Sequence, residues 1–189
     1  MENQLTELGK MLLERSYRKG EFTLTSGKTS DFYINGKQTF LEARGAVLIG
    51  QCFLRMIQES GLNISAVAGV PVGATPLVDA ISVLSSLDET ATDLAQIIVR
   101  KKTNDHGAGN QIERPQSVKD GDMVALVDDV ITTAGTLIRA IEALEKSGLV
   151  VGIVILIVDR EEGGKEVLAK AGYDNVHAIF TKSELLAMK

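Results

Sequence analysis

Two periodicities organise the chain. Residues 3–16 carry Leu5, Leu8, Leu12 and Leu13 at helical spacing, and residues 41–60 do the same with Ala46, Ile49, Phe53 and Ile57. Between them, residues 21–36 alternate and are rich in Thr, Phe and Tyr, which predicts a short hairpin. From Ser65 onward the period changes. Apolar, β-branched runs at 66–70, 97–100, 123–127, 150–158 and 176–180 alternate with helical stretches at 74–86, 135–147 and 164–171. Unbroken apolar strands separated by helices predict an α/β fold, a central mostly parallel sheet flanked by helices on both faces. Ligands of such sheets sit outside the carboxyl ends of the strands. Four chemically unusual segments leave strand ends there: GVPVGATP, RKKTNDHGAGNQ, DDVITTAGT and DREEGG.

Composition narrows the class. At 189 residues the chain has room for one substantial domain. A formal net charge of −5 leaves no broad basic face, so a nucleic-acid partner is not expected and an anionic ligand must be held by local groups. The longest apolar run, LVVGIVILIV, has ten residues and is too short to span a bilayer. The opening MENQLTELGK lacks the apolar stretch of a secretory signal. One cysteine, Cys52, excludes an internal disulfide framework and reads as a small core residue. A cytoplasmic location without membrane contact is expected. His177, on a strand, reads as structural.

The chemistry concentrates in ALVDDVITTAGT, which puts Asp128 and Asp129 at the end of an apolar strand and then turns into a helix through Thr132, Thr133, Ala134, Gly135 and Thr136. Free N–H groups of such a turn, with the helix dipole, bind a phosphate without a lysine. The two carboxylates suit the vicinal hydroxyls of a ribose, so one stretch can hold a sugar at one end and its 5′-phosphate at the other. Capping of the approaching helix and metal binding are the competing uses of the pair, although no other acid or His lies at ligand spacing nearby.

VALVDDVITTAGT resembles the signature of the type I phosphoribosyltransferases, which bind 5-phosphoribosyl 1-pyrophosphate. GEFTLTSGKTSDFYINGK resembles the hood segment of the orotate phosphoribosyltransferases, which implies Phe32 and Tyr33 beside orotate and Lys28 as a substrate-binding residue. The P-loop reading of SGKTS fails, because the motif needs glycine five places before Gly27 and position 22 is Phe. VRKKTNDHGAGNQIE resembles the family's mobile catalytic loop, with Arg100, Lys101, Lys102 and His106 facing the departing pyrophosphate. From residue 101 to 122 the chain is polar with little periodicity, as in a lid or a solvated charge run. Arg160 in VDREEGG stands where the family's arginine meets the orotate ring; a surface ion pair with Glu161 or Glu162 is the plain alternative. AGVPVGATP, with Val72 and Gly73, matches the pyrophosphate loop. Gly73 and Asn104 occupy positions where other members carry lysine.

The resemblance implies a type I phosphoribosyltransferase fold over residues 1–189, with a hood segment at about 1–40 and a core at about 41–180. It implies an orotate phosphoribosyltransferase of pyrimidine synthesis, with Mg²⁺ bound mainly through the substrate. It also implies a homodimer in which the 101–112 loop reaches the neighbouring site. Asp128 and Asp129 would hold the ribose, Asp128 being a candidate for proton transfer as well. A phosphoribosyltransferase for another nucleobase, or a non-catalytic sensor of phosphoribosyl pyrophosphate, are the alternative functions.

Overall fold

The computed structural model describes residues 2–23, 29–100 and 111–189. Helix α1 (Glu2–Met11) widens into one π-type turn at Leu12–Ser16 before the antiparallel hairpin of β1 (Tyr17–Thr23) and β2 (Thr29–Ile34). The short α2 (Lys37–Phe40) and long α3 (Ala43–Glu59) follow. Ser16 Oγ and Thr39 Oγ1 lie 2.7 Å apart in the interior and fasten α2 to the end of the first helix. The hairpin expected at 21–36 therefore starts earlier, at Tyr17.

The remaining chain alternates as its pattern predicts: β3 (Ile64–Gly69), α4 (Thr75–Leu87), β4 (Ala95–Val99), β5 (Ile112–Glu113), β6 (Met123–Ile131), α5 (Gly135–Lys146), β7 (Val150–Asp159), α6 (Gly164–Lys170), β8 (Val176–Thr181) and α7 (Lys182–Ala187). Six strands form one sheet in the order β5-β4-β3-β6-β7-β8. Every pairing is parallel except that of β4 with the two-residue β5.

Both faces of the sheet are buried, which is why its strands read as unbroken apolar runs. Successive side chains alternate between faces. Val67, Ala125, Val127, Ile153, Ile155 and Ile157 join a core containing Leu8, Leu48, Phe53 and Ile81 from α1, α3 and α4. Ala66, Ala68, Val124, Leu126, Val154 and Leu156 join a second core with Leu137, Ile141 and Leu144 of α5 and Leu168 of α6. Cys52 packs, half-buried, against the first core, and burial pushes its thiol pKa up. His177 is exposed and bonds Asn175 at 2.7 Å.

Three further features differ from the sequence pattern. Strand β6 does not stop before the aspartates but runs through them to Ile131. Its neighbour β7 extends equally far, pairing Asp128 with Leu156 and Ile131 with Asp159, whereas β3 ends opposite Val127. In the polar 101–122 stretch, the described part is ordered: β5 pairs with β4, and both Ile112 and Val118 are buried. The carboxyl-terminal α7 was not foreseen. A reciprocal capping box of Thr181 and Glu184 starts it. Its outgoing end packs on α1, where a β-carbon on Gly9 would overlap Met188.

Candidate active site

Because β6 outruns β3, its last residues have a partner strand on one side only, at the carboxyl edge of the sheet. Alternation sends the two aspartates to opposite faces. Asp128 faces the turn after β3, where its Oδ1 lies 3.9 Å from the place a β-carbon on Gly73 would take. Asp129 faces the hood: a β-carbon on Gly36 would come within 3.3 Å of its own Cβ. Burial pushes the Asp129 carboxyl above the ordinary aspartate range. The Val130 N–H, donating to its Oδ1 at 2.9 Å, and the nearby Lys37 charge pull in the opposite direction. A desolvated acceptor of this kind suits a ligand hydroxyl that replaces lost water contacts.

Five residues downstream, α5 begins without a side-chain cap. Ala134 takes the left-handed conformation, φ 62°, and its carbonyl accepts the first helical bond from Ile138 N–H at 3.0 Å. Lacking a side-chain cap, the first-turn amides, beside Thr132, Thr133, Gly135 and Thr136, can serve as a cradle for an anion. Thr133 and Thr136 are exposed, and Thr132 and Gly135 half-buried. Arg139, one turn into the helix, donates to Thr136 Oγ1 at 3.4 Å and brings a cation beside the cradle. The sequence pattern gave no sign of it, because an arginine on an exposed helix face is ordinary.

The turn after β3 is short. A β-carbon on Gly69 would lie 2.7 Å from Ala74 Cβ, so glycine lets α4 start directly against the strand end. The Pro71–Val72 peptide bond is cis. Val72 is 79% exposed and Gly73 half-buried beside Asp128.

On the other side of β6, the loop after β7 meets the hood. Arg160 is only 3% exposed and pairs with Glu162 at 2.9 Å, so it is an interior ion pair and not a surface one. Its guanidinium sits 4.7 Å from the centre of the Phe32 ring, and Lys182 Nζ sits 4.4 Å from the same ring. Such cation–aromatic contacts join hood and sheet edge. Phe32 is itself 3% exposed and stacks on Tyr17, which leaves Tyr33, 41% exposed and 5.6 Å from Phe22, as the accessible aromatic of the expected pair. Glu161, at φ 58°, accepts from both the backbone N–H (2.9 Å) and the hydroxyl (2.6 Å) of Ser183, locking this loop to α7.

Arg100 leaves the end of β4 and forms an ion pair with Glu113 of β5. Lys28, Lys101, Lys102 and His106, and also Asn104, lie outside the described residues. The structure thus brings together Asp128, Asp129, the Thr132–Thr136 turn and Gly73 around the end of β6, with Arg160, Phe32 and Tyr33 on the hood side. Among the described residues, no group of three His, Cys, Asp or Glu side chains is spaced to hold a metal ion. No helix among them is long and apolar enough to cross a membrane.

A family model described as the phosphoribosyl transferase domain matches residues 41–181. The chain is 42% identical to the orotate phosphoribosyltransferase of Thermosynechococcus vestitus over 181 residues, covering 96% of this chain and 92% of that protein. It is 40% identical to that of Pyrococcus furiosus over 168 residues, covering 88% and 87%. A crystal structure of Mycobacterium tuberculosis orotate phosphoribosyltransferase in complex with Fe(III) dicitrate superposes with a TM-score of 0.79 at 26% identity, covering 96% of this chain and 98% of that one.

Proposed function

The chain belongs to the phosphoribosyl transferase domain family, and on that premise we propose that it is an orotate phosphoribosyltransferase. It converts orotate and 5-phosphoribosyl 1-pyrophosphate into orotidine 5′-monophosphate and pyrophosphate, a step of pyrimidine biosynthesis. The observation that carries this reading is the sheet edge itself: two differently facing carboxylates, an uncapped helix start and a hood-bound arginine stand side by side.

Each group has a task in the transfer. The ring nitrogen of orotate forms a bond to the anomeric carbon while the bond from that carbon to the diphosphate oxygen breaks. The nitrogen loses its proton to Asp128. The transition state is oxocarbenium-like, so the protein has to align two reactants and stabilise charge on the leaving group. Asp128 and Asp129 accept hydrogen bonds from the ribose hydroxyls. Thr132, Thr133, Ala134, Gly135 and Thr136 hold the 5′-phosphate through backbone N–H groups and hydroxyls. Val72 and Gly73 line the diphosphate side. Arg160 and Tyr33 contact the base, with Phe32 holding Arg160 in place, and Lys28 binds substrate. Arg100, Lys101, Lys102 and His106 neutralise the diphosphate.

Mg²⁺ supplies charge neutralisation on the diphosphate when bound. The described residues suit a Mg²⁺ held through substrate oxygens and waters, since Asp128 faces the Gly73 turn while Asp129 points away to the hood. The enzyme acts in the cytoplasm as a homodimer, with the 101–112 segment serving the neighbouring site.

Purified protein incubated with phosphoribosyl pyrophosphate and Mg²⁺ should release pyrophosphate only when orotate is added. Release with adenine or xanthine but not orotate would move the assignment to another base, and binding without release would make the protein a sensor.

A further inference from the structure

We propose that Glu113 competes with the departing diphosphate for Arg100, and so governs how readily pyrophosphate is released. The inference rests on the reading of Arg100 as a diphosphate contact. It goes beyond that reading in giving the cation a second, internal partner.

The register of a very short strand creates the pair. Strand β5 consists of Ile112 and Glu113 and lies antiparallel to the end of β4, with Val99 opposite Ile112 and Ile98 opposite Glu113. The Arg100 N–H continues the ladder by donating to Gln111 O at 2.8 Å. Val99 and Ile112 turn to the core that they share with Leu126 and Leu137. Ile98 and Glu113 therefore share the other face. Arg100, two residues beyond Ile98, shares it too, and the two charged side chains are diagonal neighbours across the ladder. Their ion pair follows from that placement.

The two partners differ in freedom. Glu113 is held on both sides, by buried Ile112 and by Arg114, which pairs with Asp120 at 2.5 Å. Arg100 has a longer side chain. It also stands beside the diphosphate turn, because Gly69 pairs with Ile98 and the Pro71–Gly73 segment begins just past Gly69. The side chains of Arg100 and Glu113 are 37% and 45% exposed. An exposed pair is weak enough for a multiply charged ligand to displace, and strong enough to reclaim the guanidinium when the ligand leaves. While paired to a carboxylate, Arg100 offers a leaving group no net charge. Binding of diphosphate must therefore break the pair, and the pair's re-formation favours release.

The test uses the full chain and inorganic pyrophosphate with Mg²⁺ in isothermal titration, backed by steady-state kinetics. Glu113→Gln keeps the side chain's size and removes its charge. It should tighten pyrophosphate binding about fivefold, the scale of an exposed ion pair. KM for phosphoribosyl pyrophosphate should fall with it, and KM for orotate should stay at the parent value. Raised salt should erase the gain by screening the pair. In an Arg100→Gln background, Glu113→Gln should change nothing. A purely structural role for Glu113 predicts instead a salt-independent loss, shared by both substrates. Unchanged or weaker pyrophosphate binding by Glu113→Gln, where Arg100→Gln does weaken it, overturns the competition alone. Parental pyrophosphate affinity in Arg100→Gln by itself overturns the role of Arg100, and the competition falls with it.

Discussion

At the scale of single residues, Asp129 carries the sharpest conflict between stability and function. Burial raises its pKa, so the folded protein binds more protons than the unfolded chain from the ordinary aspartate range up to the raised value. Stability falls as pH climbs through that window and stays lower above it. Asp129→Asn removes the buried charge and keeps an oxygen to accept the Val130 N–H. The variant should melt higher than the parent at neutral pH, and at the same temperature below the ordinary aspartate pKa. A domain of this length gains about 2–4 °C for each kcal/mol. The same change should weaken phosphoribosyl pyrophosphate binding by about 1.5–3 kcal/mol, the worth of a charged hydrogen-bond acceptor, with a smaller effect on orotate. Paired melting curves and titrations read both. Parental sugar binding in Asp128→Asn and Asp129→Asn alike would remove the ribose assignment.

At the scale of elements, the start of α5 depends on one unusual backbone conformation. Ala134 at φ 62° costs about 1–2 kcal/mol relative to an ordinary helical residue, and glycine tolerates that geometry freely. Ala134→Gly should raise stability by about 1 kcal/mol, with KM for phosphoribosyl pyrophosphate unchanged because the cradle's donors are backbone N–H groups. Ala134→Val should do the reverse, since a β-branched residue is least tolerant of positive φ. Thermal melts with initial rates decide between them; a Gly variant that melts lower than the parent would contradict the strain argument. Helix α7 acts at this scale as well. Through Ser183 and Lys182 it holds the Glu161 loop and Phe32 together, so the hood side of the sheet edge is braced by an element distant in sequence.

At the scale of the whole molecule, the question is whether one chain completes a site. If the 101–112 segment serves the neighbouring subunit, Asp128→Asn and Lys101→Ala chains are each inactive alone, and mixing them restores function. Half of randomly exchanged dimers are mixed, and each carries one intact site, so about a quarter of the parent activity should return. Equal parts of the two variants, exchanged and assayed for orotate-dependent pyrophosphate release, provide the measurement. No recovery after confirmed exchange would mean that each chain completes its own site. On the proposed function, the overall charge of −5 makes substrate anions approach against the net field, which gives weight to local cations such as Arg139.

What the sequence determined by itself was local and periodic. The alternation of β-branched runs with helical stretches specified a two-faced parallel sheet, since both faces of β3, β6 and β7 had to be apolar to be buried. The Asp128–Thr136 stretch was legible because strand, turn and helix start are contiguous there. Everything that depended on pairing across the chain was left to the tertiary structure. Whether β6 ends at Asp128 or Ile131 is decided by the length of β7, not by β6's own residues. A two-residue strand shows no period, so β5 and the Glu113 partner of Arg100 were invisible until β4 supplied the register. The family resemblance sets Phe32 beside orotate, but that its ring packs against Arg160 and Lys182 is a fact of the assembled structure alone. Periodicity records which face a residue takes within its own element. Which distant residue meets it there depends on register and strand length, and those are properties of the assembled sheet.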